Sequence, residues 1–400
     1  MKKCLSAKLY SGCGIIALLF FMTLSLVFGI LYFDSIRGKD ADGANVSVPA
    51  LAVETEEPTS TSVAKLVWFT YIPKERDLET VARNFDFYIL IQGNEAERDR
   101  MIDYGAQGPF LQYLEFESIQ DPGSCTDDPE INQVTSLAGD FCRISEEHPD
   151  WFLLDEAGER IRLDDDDHAW YLMDPGNEEW RAFYLERIKR FQEGDENWSG
   201  VFLDNVPLTL IFREEDGHIP ALYPDDAAYQ AAVQGFLEYL HENYFLPNGK
   251  LLIGNLSARK DDADWSRHLE NLDGAMLEGW AIDVPDRWRP VERWEQHLRL
   301  AEETQEMGKI ILLVSRGEKD DYELQEFAYA SFLLIQQGKA YFRYAGGDAY
   351  NSVWLYENYQ YDLGEPLGAR YRDGETWRRD FTHGSVTVNP RTHAVDIRQD

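Results

Sequence analysis

From residue 63 to residue 345 the chain alternates short, strongly apolar runs with longer segments whose apolar side chains recur every three or four positions. The short runs are "VAKLVWFTY" (63–71), "FDFYILI" (85–91), "FLQYLEF" (110–116), "GVFLDNV" (200–206), "KLLIGNL" (250–256), "GAMLEGW" (274–280), "KIILLVS" (309–315) and "KAYFRYA" (339–345). Several are apolar on both faces, the pattern of parallel strands covered by helices. Among the longer segments, "DDAAYQAAVQGFLEYLHENYF" sets Tyr229, Val233, Phe236, Leu237, Leu240 and Tyr244 on one helical stripe before "PNG" breaks it. "PVERWEQHLRLAEETQEMG" and "DYELQEFAYASFLLIQQG" repeat the pattern, each ending in glycine before a strand that opens with lysine. In "DPGNEEWRAFYLERIKRF", Asp174 is the expected N-cap and Pro175 the first helical residue. Eight strands alternating with helices predict an α/β chain folded as a (β/α)8 TIM barrel. The rival is a doubly wound open sheet, but that fold wants a glycine-rich first turn, and "FTYIPKER" contains no glycine.

Two stretches depart from the repeat. About 60 residues separate the third strand from its helix, including a predicted small hairpin in "HPDWFLLDEAGERIRL" with a Glu-Ala-Gly turn. An insertion there falls on the C-terminal face, where barrels build their sites. The tail "ARYRDGETWRRDFTHGSVTVNP" (369–390) alternates and turns at Asp-Gly and His-Gly like a β meander. At the other end, Lys2, Lys3 and Lys8 precede the uncharged run "GIIALLFFMTLSLVFGILYF" (14–33), long enough to span a bilayer. Positive charge on its N-terminal side favours keeping that end in the cytoplasm. The reading is an uncleaved signal anchor, with a cleaved signal as the alternative. The expected organisation is an anchor (1–34), a small, polar, acidic linker (35–62), the barrel (63–348) and a β-rich extension packed on it (349–400). Everything beyond about residue 35 then lies outside the cytoplasm, secreted if the signal is cleaved.

Composition changes the picture in two ways. A net charge of −35 excludes nucleic acid as a partner and disfavours docking on an anionic membrane surface. The run "LDDDDH" (163–168) is either a solvated acidic surface or a cation site. Of four cysteines, Cys125 and Cys142 belong to the exported part and are candidates for a disulfide. With no matching histidine pair they make a poor zinc site.

In a barrel, side chains at the C-terminal ends of the strands converge on one mouth. The sequence places there Tyr71, Glu115 and Glu117, Asp204 and Asn205, Asn255, Glu278 and Trp280, Arg316, and Arg343 and Tyr344, with Asp174 also a candidate to line the site. Asp204 and Glu278 end strands four and six, close enough to face each other across a substrate. Glycoside hydrolysis needs such a pair: one acid protonates the leaving oxygen, and the other carboxylate attacks the sugar or activates water. Trp280, Tyr71 and Trp68 offer flat faces to sugar rings; Asn205, Asn255 and the arginines offer hydrogen bonds to hydroxyls. Each has a plainer reading: Asp204 as a turn cap, Glu115 and Glu117 as arginine partners, Asp174 as a helix cap. No cofactor is implied.

"HPDWFLLDEAGERI", "YLMDPGNEEWRAFYLERI" and "GVFLDNV" together resemble the hypothetical glycoside-hydrolase-like family 15, with more distant similarity to the α-galactosidase and dextranase clans. The resemblance is best over 150–280, and "RRDFTHGSVTVNP" resembles the tail that often closes such proteins. It implies that Asp204 is the nucleophile and Glu278 the general acid/base of a retaining mechanism on an α-glycoside. A catalytically inactive, membrane-tethered carbohydrate-binding barrel is the alternative, against which the retention of both acids counts. A metal-dependent hydrolase ranks last, since strand one carries no His-x-His. The sugar, the linkage and the oligomeric state are not legible.

Overall fold

Eight parallel strands hydrogen-bond in chain order: β1 (Val67–Thr70), β2 (Phe87–Leu90), β3 (Phe110–Glu115), β4 (Gly200–Pro207), β5 (Leu251–Ser257), β6 (Gly274–Glu278), β7 (Ile310–Arg316) and β8 (Ala340–Ala345). A parallel bridge between Leu66 and Phe342, with Phe342 N–H donating to Lys65 O at 2.8 Å, brings the last strand back to the first and nearly closes the ring. The fold is therefore an α/β barrel of eight parallel strands, consistent with a TIM barrel. This computed structural model describes residues 64–400 apart from 75, 165–168, 208, 211–218, 258–261, 284–286 and 348–349, all within one unit, Pro58–Asp400. The expected span at 14–33, the linker at 35–62 and most of the acidic run lie outside the described residues. Among the described residues, no helix is long and apolar enough to cross a membrane.

Alternation along each strand divides the apolar residues into two cores. Val67, Phe69, Phe87, Ile89, Leu111, Phe202, Ile253, Met276, Leu312 and Val314 fill the barrel interior. Residues of the opposite parity, such as Leu66, Trp68, Leu114, Leu203, Leu277 and Phe342, pack outward in the larger cluster beneath the helices.

Those helices are α1 (Leu78–Asn84), α2 (Glu95–Asp103), α3 (Glu178–Gln192), α4 (Asp226–Leu240), α5 (Asp262–Leu269), α6 (Val291–Glu306) and α7 (Tyr322–Ile335). Side-chain caps start four of them: Asp77 accepts from Thr80 N–H, Asn177 from Glu179 and Trp180 N–H, Asp225 from Ala228 N–H and Asp321 from Leu324 N–H. Each such cap contributes about 1 kcal/mol. The cap of α3 corrects the sequence reading. Asn177, not Asp174, closes it, and Pro175 precedes the helix, because the Asp174 carboxylate turns back onto Gly176 N–H and the Tyr223 hydroxyl.

The insertion after β3 is a small subdomain. Ser118–Asp121, Ala169–Leu172 and Arg162–Asp164 form an antiparallel sheet, and the segment 153–161 folds as a hairpin closed by Ile161 N–H to Leu153 O. A disulfide joins Cys125 to Cys142 on the short helix Asp140–Glu147. Arg187 of α3 donates to the buried Asp140 carboxylate at 2.5 Å, fixing the subdomain to the barrel. Past β8 the chain builds a four-stranded antiparallel sheet, Tyr371–Asp373, Thr376–Phe381, Gly384–Val388 and Val395–Gln399. It packs on α7: buried Arg379 donates to Leu333 O and Gln336 O, and His393 stacks on Trp288.

Candidate active site

Six strands place a residue one step beyond the apolar interior, two positions after a core side chain. Phe69 is followed by Tyr71, Tyr113 by Glu115, Phe202 by Asp204, Ile253 by Asn255, Met276 by Glu278 and Val314 by Arg316. The polar mouth is thus the next layer of the barrel interior, reached by the same alternation.

Strand β4 modifies this rule. Its register with β5 slips between Leu203 and Val206, so that Asp204 and Asn205 together stand against Asn255. Asn205 takes a left-handed backbone (φ 55°), and Val206 returns to the outer core. The bulge lets two consecutive polar side chains serve the mouth, a common use of bulges beside sites. Asparagine is among the few residues that tolerate that conformation.

The hydrogen bonds then lock three carboxylates together. Asp204 accepts from the Tyr113 hydroxyl at Oδ2, and from Asn255 Nδ2 (2.8 Å) and its neighbour Asn205 N–H (2.9 Å) at Oδ1. Glu278 accepts from Asn255 Nδ2 (3.2 Å) and from the Tyr350 hydroxyl (2.7 Å), with Arg316 Nη1 3.6 Å away. Glu115, paired with Asp204 across β3 and β4, accepts from Asn205 Nδ2 at 2.8 Å. Only the NH2 end of an amide can face two carboxylates, which fixes the orientation of Asn255. Both bonds leave one nitrogen, at 2.8 and 3.2 Å, so the oxygens of Asp204 and Glu278 that they reach stand no more than about 6 Å apart.

Burial pushes the Asp204 carboxyl above its usual range; bonds from Tyr113 and Asn255 pull it back, and the negative Glu278 pushes it up again. Glu115 is raised much further, first by burial and then by the charges of Asp204 and Glu117. Tyr71, 44 % exposed at the rim, is raised by partial burial and by the charges of Glu130 and Asp204.

Other expected residues stand elsewhere. Trp280 has no open face: it is fully buried, and its indole N–H donates to Ala328 O in α7. The backbone turns away after Glu278 through Gly279 and Ala281, both at positive φ, and carries the ring behind the sheet. Trp68 is likewise buried in the outer cluster. Tyr344 has the outward parity of β8 and bonds Glu318 O and Asp321 O. Arg343 is 2 % exposed, its guanidinium over the Trp68 and Phe85 rings, so it offers no hydrogen bond to a ligand at the mouth. Asp174 is buried against Tyr223. Glu117 lies beside Glu115, its N–H donating to Glu115 Oε1. Sequence reasoning missed Tyr113 and Tyr350. Tyr113 carries a signal, since it shares the inward parity of Glu115; Tyr350 lies in a loop with none. Among the described residues, no cluster of three or more His, Cys, Asp or Glu side chains is arranged to hold a metal ion.

A nearly closed parallel barrel whose mouth holds paired carboxylates on β4 and β6 is the architecture of a glycosidase-like protein. The model of the hypothetical glycosyl hydrolase family 15 matches residues 125–385, more than half of the chain, and the chain belongs to that family. No curated protein matches it. Among solved structures it is similar to the glycoside hydrolase domain of PelA from Pseudomonas aeruginosa, at 14 % identity and a TM-score of 0.46 over 73 % of this chain and 97 % of that one. It is also similar to an α-galactosidase from Thermus thermophilus (16 % identity, TM-score 0.45, 83 % and 67 % covered). An α-amylase from Lactobacillus plantarum is a third (10 %, 0.45, 85 % and 96 %).

Proposed function

We propose that the protein is a retaining glycoside hydrolase acting on an extracytoplasmic oligo- or polysaccharide, with Asp204 as nucleophile and Glu278 as general acid/base. The observation that supports this reading is the Asn255 bridge, whose Nδ2 lies 2.8 Å from an Asp204 oxygen and 3.2 Å from a Glu278 oxygen, so these two oxygens are no more than about 6 Å apart. Retaining enzymes use a separation of about 5–5.5 Å, while inverting ones need roughly 6.5–9.5 Å to admit a water.

Asp204 carries the three donors that suit an anion waiting to attack. Its oxygen bonds to the anomeric carbon as the glycosidic C–O bond breaks, and Glu278 gives its proton to the departing oxygen. Water then displaces Asp204 while Glu278 takes back a proton. Arg316 Nη1 stands 3.6 Å from Glu278 Oε1. Its side chain is 45 % exposed, so its pull is screened by solvent. Tyr71 at the rim supplies an aromatic face for a sugar ring. Family membership supports the reading, and the Cys125–Cys142 disulfide suits a barrel outside the cytoplasm, tethered by the 14–33 segment.

The test is a reducing-sugar screen of the full chain against α- and β-linked glycans, followed by proton NMR of the first product formed. Hydrolysis with retained anomeric configuration is expected. Asp204→Asn and Glu278→Gln should each lower kcat at least about 1,000-fold with an unchanged circular dichroism spectrum. First-formed product of inverted configuration, or near-normal turnover by either variant, rejects the assignment. Binding without hydrolysis across the panel would leave a carbohydrate-binding barrel instead.

A further inference from the structure

Tyr350 follows β8 and is the third wall of the Glu278 carboxylate. Its hydroxyl donates to Glu278 Oε1 at 2.7 Å, and its ring stands edge-on to Phe69 on the barrel floor, with centroids 5.1 Å apart. The backbone that carries it is held from beneath. One nitrogen of Arg343, Nη2, donates to both Tyr350 O (3.2 Å) and Ser352 O (2.8 Å), while Lys74 N–H from the β1–α1 loop donates to Asn351 O (2.8 Å). Arg343 is buried against two aromatic faces, and its Nη2 bonds go to these two carbonyls. Burying a guanidinium is costly unless it is well placed, and the geometry here spends that cost on fixing one short segment.

We propose that Tyr350 is the positioning residue that orients Glu278 and steadies the anion it becomes, and that Arg343 acts through Tyr350. The inference rests on Glu278 being the acid/base. The Tyr350 O–H donates to Glu278 Oε1 before the glycosidic bond breaks, which leaves the acid proton of Glu278 for the glycosidic oxygen. Once that proton has left for the departing oxygen, the same Tyr350 O–H donates more strongly to the new carboxylate, keeping its own proton throughout. Other groups facing Glu278 include Asp204 from β4, Asn255 from β5, which donates at Oε2, and Arg316 from β7; Asp204 and Arg316 carry charge.

The test uses the full chain with Tyr350→Phe, which keeps the ring and removes only the hydroxyl. The kcat/KM for glycosides with poor alkyl leaving groups should fall about 10- to 100-fold, the span of one hydrogen bond to a charged group. For activated aryl leaving groups, which need little protonation, the loss should stay within about threefold. Arg343→Met, which removes both bonds to the carbonyls, should move the same ratio in the same direction, and the double variant should be no worse than Tyr350→Phe alone. Independently of turnover, the carboxylate stretch of Glu278, isolated as an infrared difference against Glu278→Gln, should shift in Tyr350→Phe. An unshifted band, or equal losses for both leaving groups, overturns the proposal. A full chain inactive on every glycan but showing the band shift would instead overturn the hydrolase reading, so the two failures are told apart.

Discussion

Glu115 is the residue whose environment is most at odds with its charge. It is buried between Asp204 and Glu117, and burial together with those two charges holds its carboxyl well above the ordinary range. The folded state therefore keeps a proton on Glu115 that the unfolded chain releases near pH 4.3. For an acid raised on folding, the associated stability is fully present below the unfolded value and is lost as pH rises toward the folded one. Glu115→Gln mimics the protonated form and carries no such dependence. Its melting temperature should match wild type near pH 4 and exceed it by an increasing margin toward pH 8, as followed by circular dichroism at a series of pH values. A constant difference across that range would mean that Glu115 is ionised in the fold. Asp204 is raised as well, so the activity assigned to its anion should fade on acidification at a pH above that of an ordinary aspartate.

At the level of elements, the bulge in β4 explains how an apolar strand delivers two polar residues to one place. Asn205 holds the left-handed turn and bonds Glu115. Asn205→Ala and Asn205→Gly lose that bond alike, but only alanine is strained at φ 55°. Asn205→Ala should therefore be the less stable by about 1 kcal/mol in urea unfolding. Equal stability would mean that the bulge relaxes without cost. The strands were legible because their apolar runs are long and two-sided, and the six mouth residues from Tyr71 to Arg316 because strand parity carries them there. Parity also explains the exceptions. Tyr344 sits one position off the inward register, and Trp280 lies past a positive-φ turn that no apolar pattern signals. Arg343 has the inward parity of Tyr341, yet it is taken up at the β8–β1 seam by Trp68 and by the loop it clamps. The bulge was illegible for a related reason: Asp-Asn after a strand reads as a turn, and only the pairing with Asn255 shows two residues against one.

At the scale of the whole molecule, charge decides how the protein can stay at a membrane. Even if every lysine and arginine were paired with an acid, 35 carboxylates would remain, since 73 acidic residues face 38 basic ones. An anionic bilayer surface repels such a domain over roughly a Debye length, about 8 Å at physiological ionic strength. Electrostatic docking would thus work against attachment. On the reading proposed above, attachment comes instead from apolar insertion, for which the uncharged run at 14–33 is long enough. Fractionation of cells producing the full chain separates the two modes. The protein should pellet with membranes, resist a wash in about 1 M salt, where the Debye length falls to about 3 Å, and dissolve only with detergent. Release by salt would point to ionic attachment in spite of the net charge. Recovery in the medium, shortened by the N-terminal segment, would show that the run serves as a cleaved signal.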